Sequence, residues 1–215
     1  MSHRSLFFPI YIIIIDILLR FVPYFYNHII AVFAMLPMQT NTHGNGRWAA
    51  LTYFRKLSMI KRNLLPLGIA IALLQGIGLM LGLLTKNNIN PWYNELIKSN
   101  LTPPPIVFSV AWTLLYFLLA IVGWWIWSSR KTPKMNRVWY VYLVQLLMNW
   151  LWTPVFFNFH WLGLGFVWIL VLTGLTAYLI YRLYSQNKWI ALLVVPYLIW
   201  LMFASYLNGF IWWFN

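Results

Sequence analysis

Five apolar stretches, residues 63–84, 106–127, 139–157, 162–181 and 189–214, fill most of the chain from Met59 onward. Each is about 20 residues long, and at ~1.5 Å per helical residue that length crosses a hydrocarbon core of ~30 Å. Lipid offers no partner to a backbone N–H or C=O, so each stretch has to be a helix that satisfies its own. The only acidic residues are Asp16 and Glu95, so none of the five contains a carboxylate. The expected fold class is all-α: a polytopic membrane protein built as a five-transmembrane-helix bundle, preceded by an extra apolar N-terminal segment.

A net charge of +13 in a soluble protein would suggest nucleic acid. Here 62% of residues are hydrophobic and 8% charged, against about a quarter charged in a soluble domain. The cations sit in the connections rather than on one patch. Lys61, Arg62, Arg130, Lys131, Lys134, Arg137, Arg182 and Lys188 fall on one side of the membrane, Lys86 and Lys98 on the other. That asymmetry puts the start of the first core helix inside and the C-terminus outside, in a bacterial inner membrane, with lipid rather than nucleic acid as the partner. Trp124, Trp125, Trp127 and Trp139 form one interfacial belt; Trp161, Trp212 and Trp213 form the other. There is no cysteine, and His3, His28, His43 and His160 have no metal-ligand spacing, so thiolate chemistry is excluded and no metal site is expected. Without a carboxylate in the spans, a proton- or sodium-coupled carrier is disfavoured.

The sequence divides into an extension, residues 1–58, and a core, residues 59–215. Residues 6–36 are apolar but interrupted by Pro9, Asp16, Arg20, Pro23, Asn27 and His28. This segment reads as a sixth helix, a surface-lying segment or a signal-like stretch. Asp16 and Arg20 are four apart and would pair on one helix face. Residues 39–46 read as a polar linker. Met59, followed by Lys61, Arg62 and a span, also has the form of a translation start, which would make the extension untranslated. No function is assigned to it.

Three motifs follow in order: PWYNELIKSNLTPPPIVFSVAWTLLY in the first connection and second span, QLLMNWLWTPVFF in the third span, and PYLIWLMFASYLNGFIW in the fifth. Together they resemble the tryptophan-rich sensory protein / mitochondrial translocator protein family, from about Met59 to Asn215. The family pattern is matched at Trp92, Tyr93, Leu96, Lys98, Pro103, Pro104, Trp112, Thr113 and Tyr116. It is matched again at Asn149, Trp152, Phe156 and Phe157, and at Pro196, Tyr197, Trp200, Phe203, Ala204, Leu207 and Asn208. Ser99 and Leu101 stand where relatives have Pro and often Trp, and Ser109-Val110-Ala111 replaces a Gly-Pro-Val, which restores a helical N–H and predicts a straighter second helix. The sterol-recognition pattern of animal members is not met after Leu207, and Leu175–Tyr178–Arg182 fits it only loosely, so sterol is a doubtful ligand.

Helical spacing tests whether these residues converge. Trp112 and Tyr116 share a face, as do Asn149, Trp152 and Phe156, and Trp200, Ala204 and Asn208. Counting ~1.5 Å per residue places Trp112 about 10 Å, Trp152 about 8 Å, Ala204 about 15 Å and Trp200 about 20 Å below the outer helix ends. The expected site is an aromatic cavity beneath a lid carrying Trp92, Tyr93 and Lys98, with Phe203 on its wall. Flat, polarizable walls with few polar handles suit a large planar ligand. The resemblance implies a porphyrin such as protoporphyrin IX or haem, bound as a ligand and not as a tightly held cofactor. Lys98 is the cation for its propionates. No His or Cys in the spans would ligate iron, so recognition should be of the macrocycle. Competing readings are structural: Asn149 and Asn208 as interhelical glue, Trp92 and Tyr93 as interfacial aromatics, Pro154 and Pro196 as kinks, and Gly78–Gly82 as close packing or a homodimer face. At the level of function, a tetrapyrrole receptor, scavenger or transporter leads. Light-driven porphyrin breakdown, the one enzymatic option, and a regulatory adaptor stand as alternatives.

Overall fold

A computed structural model describes the backbone of residues 46–215 and the side chains of residues 65–215 apart from Asn87. The expectations for residues 1–45, including the sixth helix and the Asp16–Arg20 pair, fall outside the described residues. The chain divides into two units, Met1–Ile60 and Lys61–Asn215. The described residues are all-helical, with five helices long and apolar enough to cross a membrane.

Helix α1 is Gly46–Asn88, α2 is Pro105–Ser129, α3 is Pro133–Thr153 with a wide turn Pro154–Asn158 at its end, α4 is Leu162–Tyr184 and α5 is Lys188–Phe214. Helix α1 extends beyond both ends of the apolar stretch expected at 63–84, and one boundary among the spans differs from the sequence reading. The third span starts at Pro133, six residues before the expected Trp139. Its polar first turn (Lys134, Asn136, Arg137) resembles a loop, yet Thr132 caps it through Met135 N–H at 3.3 Å and Pro133 takes the N1 position, which wastes no donor.

Helices α2, α3, α4 and α5 form a closed ring in which each touches the next and α5 returns to α2. Helix α1 is peripheral, with Leu74 its one buried described side chain. It meets α2 where Gln75 Nε2 donates to the Thr113 carbonyl at 2.9 Å. Gly78 lies directly on Tyr116, and a methyl group there would sit 2.7 Å from the ring. Half of the Gly78–Gly82 motif is therefore a packing contact; no atom crowds Gly82.

Lipid supplies no hydrophobic drive for helix association, so small residues and polar groups must hold the ring together. Gly123 admits the Tyr142 ring, whose hydroxyl donates to the Leu119 carbonyl at 2.8 Å. Gly165 admits Phe156, and Gly209 admits Phe166. Trp152 Nε1 donates to the Gly165 carbonyl at 3.1 Å, and Trp168 Nε1 donates to the Met148 carbonyl at 2.8 Å, joining α3 to α4. Pro196 is buried within α5 without ending it.

Candidate functional site

The connection from α1 to α2 folds over one end of the bundle as a lid. It opens with a helical turn, Ile89–Tyr93, interrupted at Asn90 by extended backbone. Trp92 packs edge-on against Phe156 and Phe157 at 5.9 and 6.4 Å between centroids, and Tyr93 approaches the same two rings at 6.5 and 5.5 Å. Those phenylalanines are available because Pro154 lacks an N–H. The helix widens there until Phe159 N–H reaches the Pro154 carbonyl at 3.0 Å. Neighbouring Phe156 and Phe157 are then both buried, at 2% and 9% exposure. Burial raises the Tyr93 pKa above its ordinary value, so its phenol remains a donor at neutral pH.

Three contacts fasten the lid to the bundle, and a fourth set braces it internally. His160, in the left-handed region at φ 56°, stacks on Trp92 at 3.9 Å. Ser99 Oγ and the Tyr206 hydroxyl share a hydrogen bond of 2.9 Å. Ile97 N–H donates to Asn215 Oδ1 at 2.9 Å, and Asn215 Nδ2 donates back to the Ile97 carbonyl at 3.1 Å. Lys98 turns inward on its own loop: Nζ donates to the carbonyls of Tyr93, Asn94 and Leu96 at 2.7, 3.0 and 3.1 Å and lies 5.0 Å from the Tyr93 ring centre. All three ammonium donors are thereby used. The Ser99 departure from the family pattern serves as a tether.

Deeper in the bundle, Trp112 stands 5.4 Å from Tyr116, 6.4 Å from Tyr197 and 6.4 Å from Trp200, and Trp200 also contacts Phe108 and Phe203. Tyr116 donates to Asn149 Oδ1 at 2.7 Å, the one polar link from α2 to α3 at this level among the described residues. Trp152, one turn above Asn149, stacks on Phe156 at 5.0 Å. The expected residues thus fall into two linked groups. Trp92, Tyr93, Trp152 and Phe156 lie under the lid, and Trp112, Tyr116, Trp200 and Phe203 lie below, with Asn149 between. Ala204 is half-buried one turn above Trp200. Asn208 spends its amide N–H on the Ala204 carbonyl at 2.8 Å, and its buried Oδ1 has no partner.

Several neighbours had not been singled out as site residues. Tyr197, Phe157 and Phe108 stood within the quoted motifs; His160 gave no sequence signal. Gln145 had one: it precedes Asn149 by a single turn as an amide inside an apolar span. It is fully buried, and neither its Nε2 nor its Oε1 has a partner. The site is therefore aromatic in its walls with unspent hydrogen-bonding atoms at its base. No cluster of three metal-ligating side chains occurs among the described residues. A separate groove of about 570 Å³ on the α4–α5 side, lined by Phe166, Tyr206, Phe210 and Trp213 among others, includes none of the expected site residues.

A bundle of five apolar spans under a lid defines a class: polytopic helical membrane proteins. The comparisons with known proteins narrow it. The profile of the TspO/MBR family matches residues 70–214, and the chain belongs to that family. It is 36% identical over 146 residues to the tryptophan-rich protein TspO of Archaeoglobus fulgidus, covering 68% of this chain and 94% of that one. It is 33% identical over 117 residues to the tryptophan-rich sensory protein of Cereibacter sphaeroides, covering 54% and 72%. With the human translocator protein it shares 32% over 123 residues, covering 56% and 73%.

Proposed function

We propose that this protein binds tetrapyrroles between its lid and the α2–α3–α5 face, acting as a membrane receptor, scavenger or transporter. The observation that supports the reading is a pair of ring clusters, Trp112 with Trp200 on α2 and α5, and Trp152 with Phe156 at the end of α3 under Trp92 and Tyr93, bridged by the Tyr116–Asn149 hydrogen bond. A macrocycle stacks on such rings, gaining the dispersion and burial that flat surfaces give. Its pyrrole and carboxyl groups need polar atoms, which Gln145, Asn149 and Tyr197 offer at the base and Asn208 offers nearer the lid. A propionate at the lid would have to displace a loop carbonyl from Lys98, so ligand entry and lid opening are coupled in this reading. The orientation proposed from the cation count puts the lid outside the cell.

Titrating purified protein with protoporphyrin IX while following tryptophan emission tests the proposal. Saturable quenching in the micromolar range is the expected result; quenching that rises linearly, as for porphyrin dissolved in detergent, contradicts it. A second reading is light-driven oxidation of the bound porphyrin, which the nearness of oxidisable Trp112, Trp200 and Tyr197 favours. Under illumination the bound pigment would then bleach faster than free pigment. No side chain here supplies an acid–base pair, so the chemistry would belong to the ligand and oxygen.

A further inference from the structure

The end of the bundle opposite the lid carries a feature that ligand binding beneath the lid does not use. The turn from α2 to α3 and the first turn of α3 hold Arg130, Lys131, Lys134 and Arg137 within eight residues. The only acid among the described residues, Glu95, is in the lid. None of the four cations donates a hydrogen bond or forms an ion pair with a described residue.

One of them is mounted rigidly. The Arg130 guanidinium carbon lies 4.9 Å from the Trp127 ring and 5.8 Å from the Trp139 ring. Trp139 stacks at 5.6 Å and 20° on Tyr142, which is anchored in the core by the Leu119 carbonyl. A guanidinium held between two indoles keeps its N–H donors in plane and available, and it interacts bidentately with phosphate better than a free side chain does. The turn itself is fixed by Lys131 N–H on the Ser129 carbonyl and by the Thr132 cap. The start of α3 therefore adds its positive dipole end to the same spot.

Arg137 also heads a stripe. Tyr140, Val144, Leu147 and Leu151 follow it at three, seven, ten and fourteen residues, one helix face, and all four are exposed apolar side chains. The stripe is about 21 Å long, more than one leaflet of a ~30 Å core. Free phosphate or an acidic soluble protein could meet the cations alone. Only a lipid meets the cations at headgroup level and the apolar stripe below them.

We propose that the α2–α3 turn is a binding site for an anionic phospholipid. Its phosphate lies on Arg130, Lys134 and Arg137, and an acyl chain runs along Tyr140, Val144, Leu147 and Leu151. The site is independent of the lid-side reading, because it shares no residue with it.

Native mass spectrometry of the full chain released from detergent tests this, with dioleoylphosphatidylglycerol or dioleoylphosphatidylcholine added at equal concentration. The wild-type protein should retain phosphatidylglycerol about tenfold better. The Arg130→Gln/Arg137→Gln double variant should bring the ratio to within about twofold, given the usual attraction of two interfacial cations. Trp127→Leu, which leaves the charges in place, should lower it about threefold, and Lys188→Gln at the other turn of the same end should leave it unchanged. Circular dichroism confirms that each variant keeps its helices. Equal retention of both lipids overturns the proposal, as does an unaltered preference in the double variant. Displacement of the lipid by an equal concentration of sodium phosphate would make this a simple anion site and overturn the lipid assignment. Capture of a second copy of the chain in place of lipid would do the same.

Discussion

Tyr116 is fixed from two sides, by Gly78 pressed on its ring and by Asn149 accepting its hydroxyl proton. Each contact makes a prediction. Gly78→Ala forces the ring aside and should lower stability by about 1–3 kcal/mol, seen as a reduced Tm in detergent. Tyr116→Phe leaves a buried Asn149 oxygen without a donor and should cost about 1–3 kcal/mol, whereas the further change Asn149→Leu should recover part of that loss. A Tm that ignores both substitutions would mean that the residues do not meet. At this scale the sequence was partly readable. Spacing and motif grouped Trp112 with Tyr116 because a helix fixes which side chains are neighbours along it, and the structure brings Trp200 and Asn149 against that pair. It could not reveal that Lys98 turns back on three carbonyls, that Ser99 tethers to Tyr206, or that Gln145 is buried without a partner. Those facts depend on the conformation of an irregular loop or on which helix lies opposite.

The lid is the element on which access depends. Its fastenings are few and local: one ring stack, one shared hydroxyl bond and the Asn215 amide. Ser99→Ala removes the bond to Tyr206, and stopped-flow quenching should show porphyrin entering about threefold to tenfold faster, with a smaller change in final affinity. Ionising half-buried Tyr93 opposes lid closure. Because burial raises its folded-state pKa above the ordinary value, its contribution is complete below about pH 10 and is lost as pH climbs through the raised value. Protease protection of the lid should therefore stay flat from neutral pH to about 9 and fall above 10, and Tyr93→Phe should remove that component of the decline. Element existence was legible because lipid forces every span into a helix. The error came at an end: α3 starts with charged residues that hydropathy counts as loop.

At the scale of the molecule, the ring α2–α3–α4–α5 separates two chemistries: an aromatic, lidded end and a basic end with no carboxylate among the described residues. Five spans and their alternation follow from length and charge alone. The pairing of α5 with both α2 and α4 does not, since all five helices are apolar on most faces and partners are selected by glycine contacts, ring contacts and a few interhelical hydrogen bonds. The most direct test of the central claim is the equilibrium affinity for protoporphyrin IX of Trp112→Leu and Trp200→Leu, set beside the interfacial control Trp213→Leu. The account predicts at least about tenfold weaker binding for the first two, consistent with a base–aromatic-sized stacking contribution of ~1–3 kcal/mol, and no change for the third. Equal affinities across all three variants would contradict it.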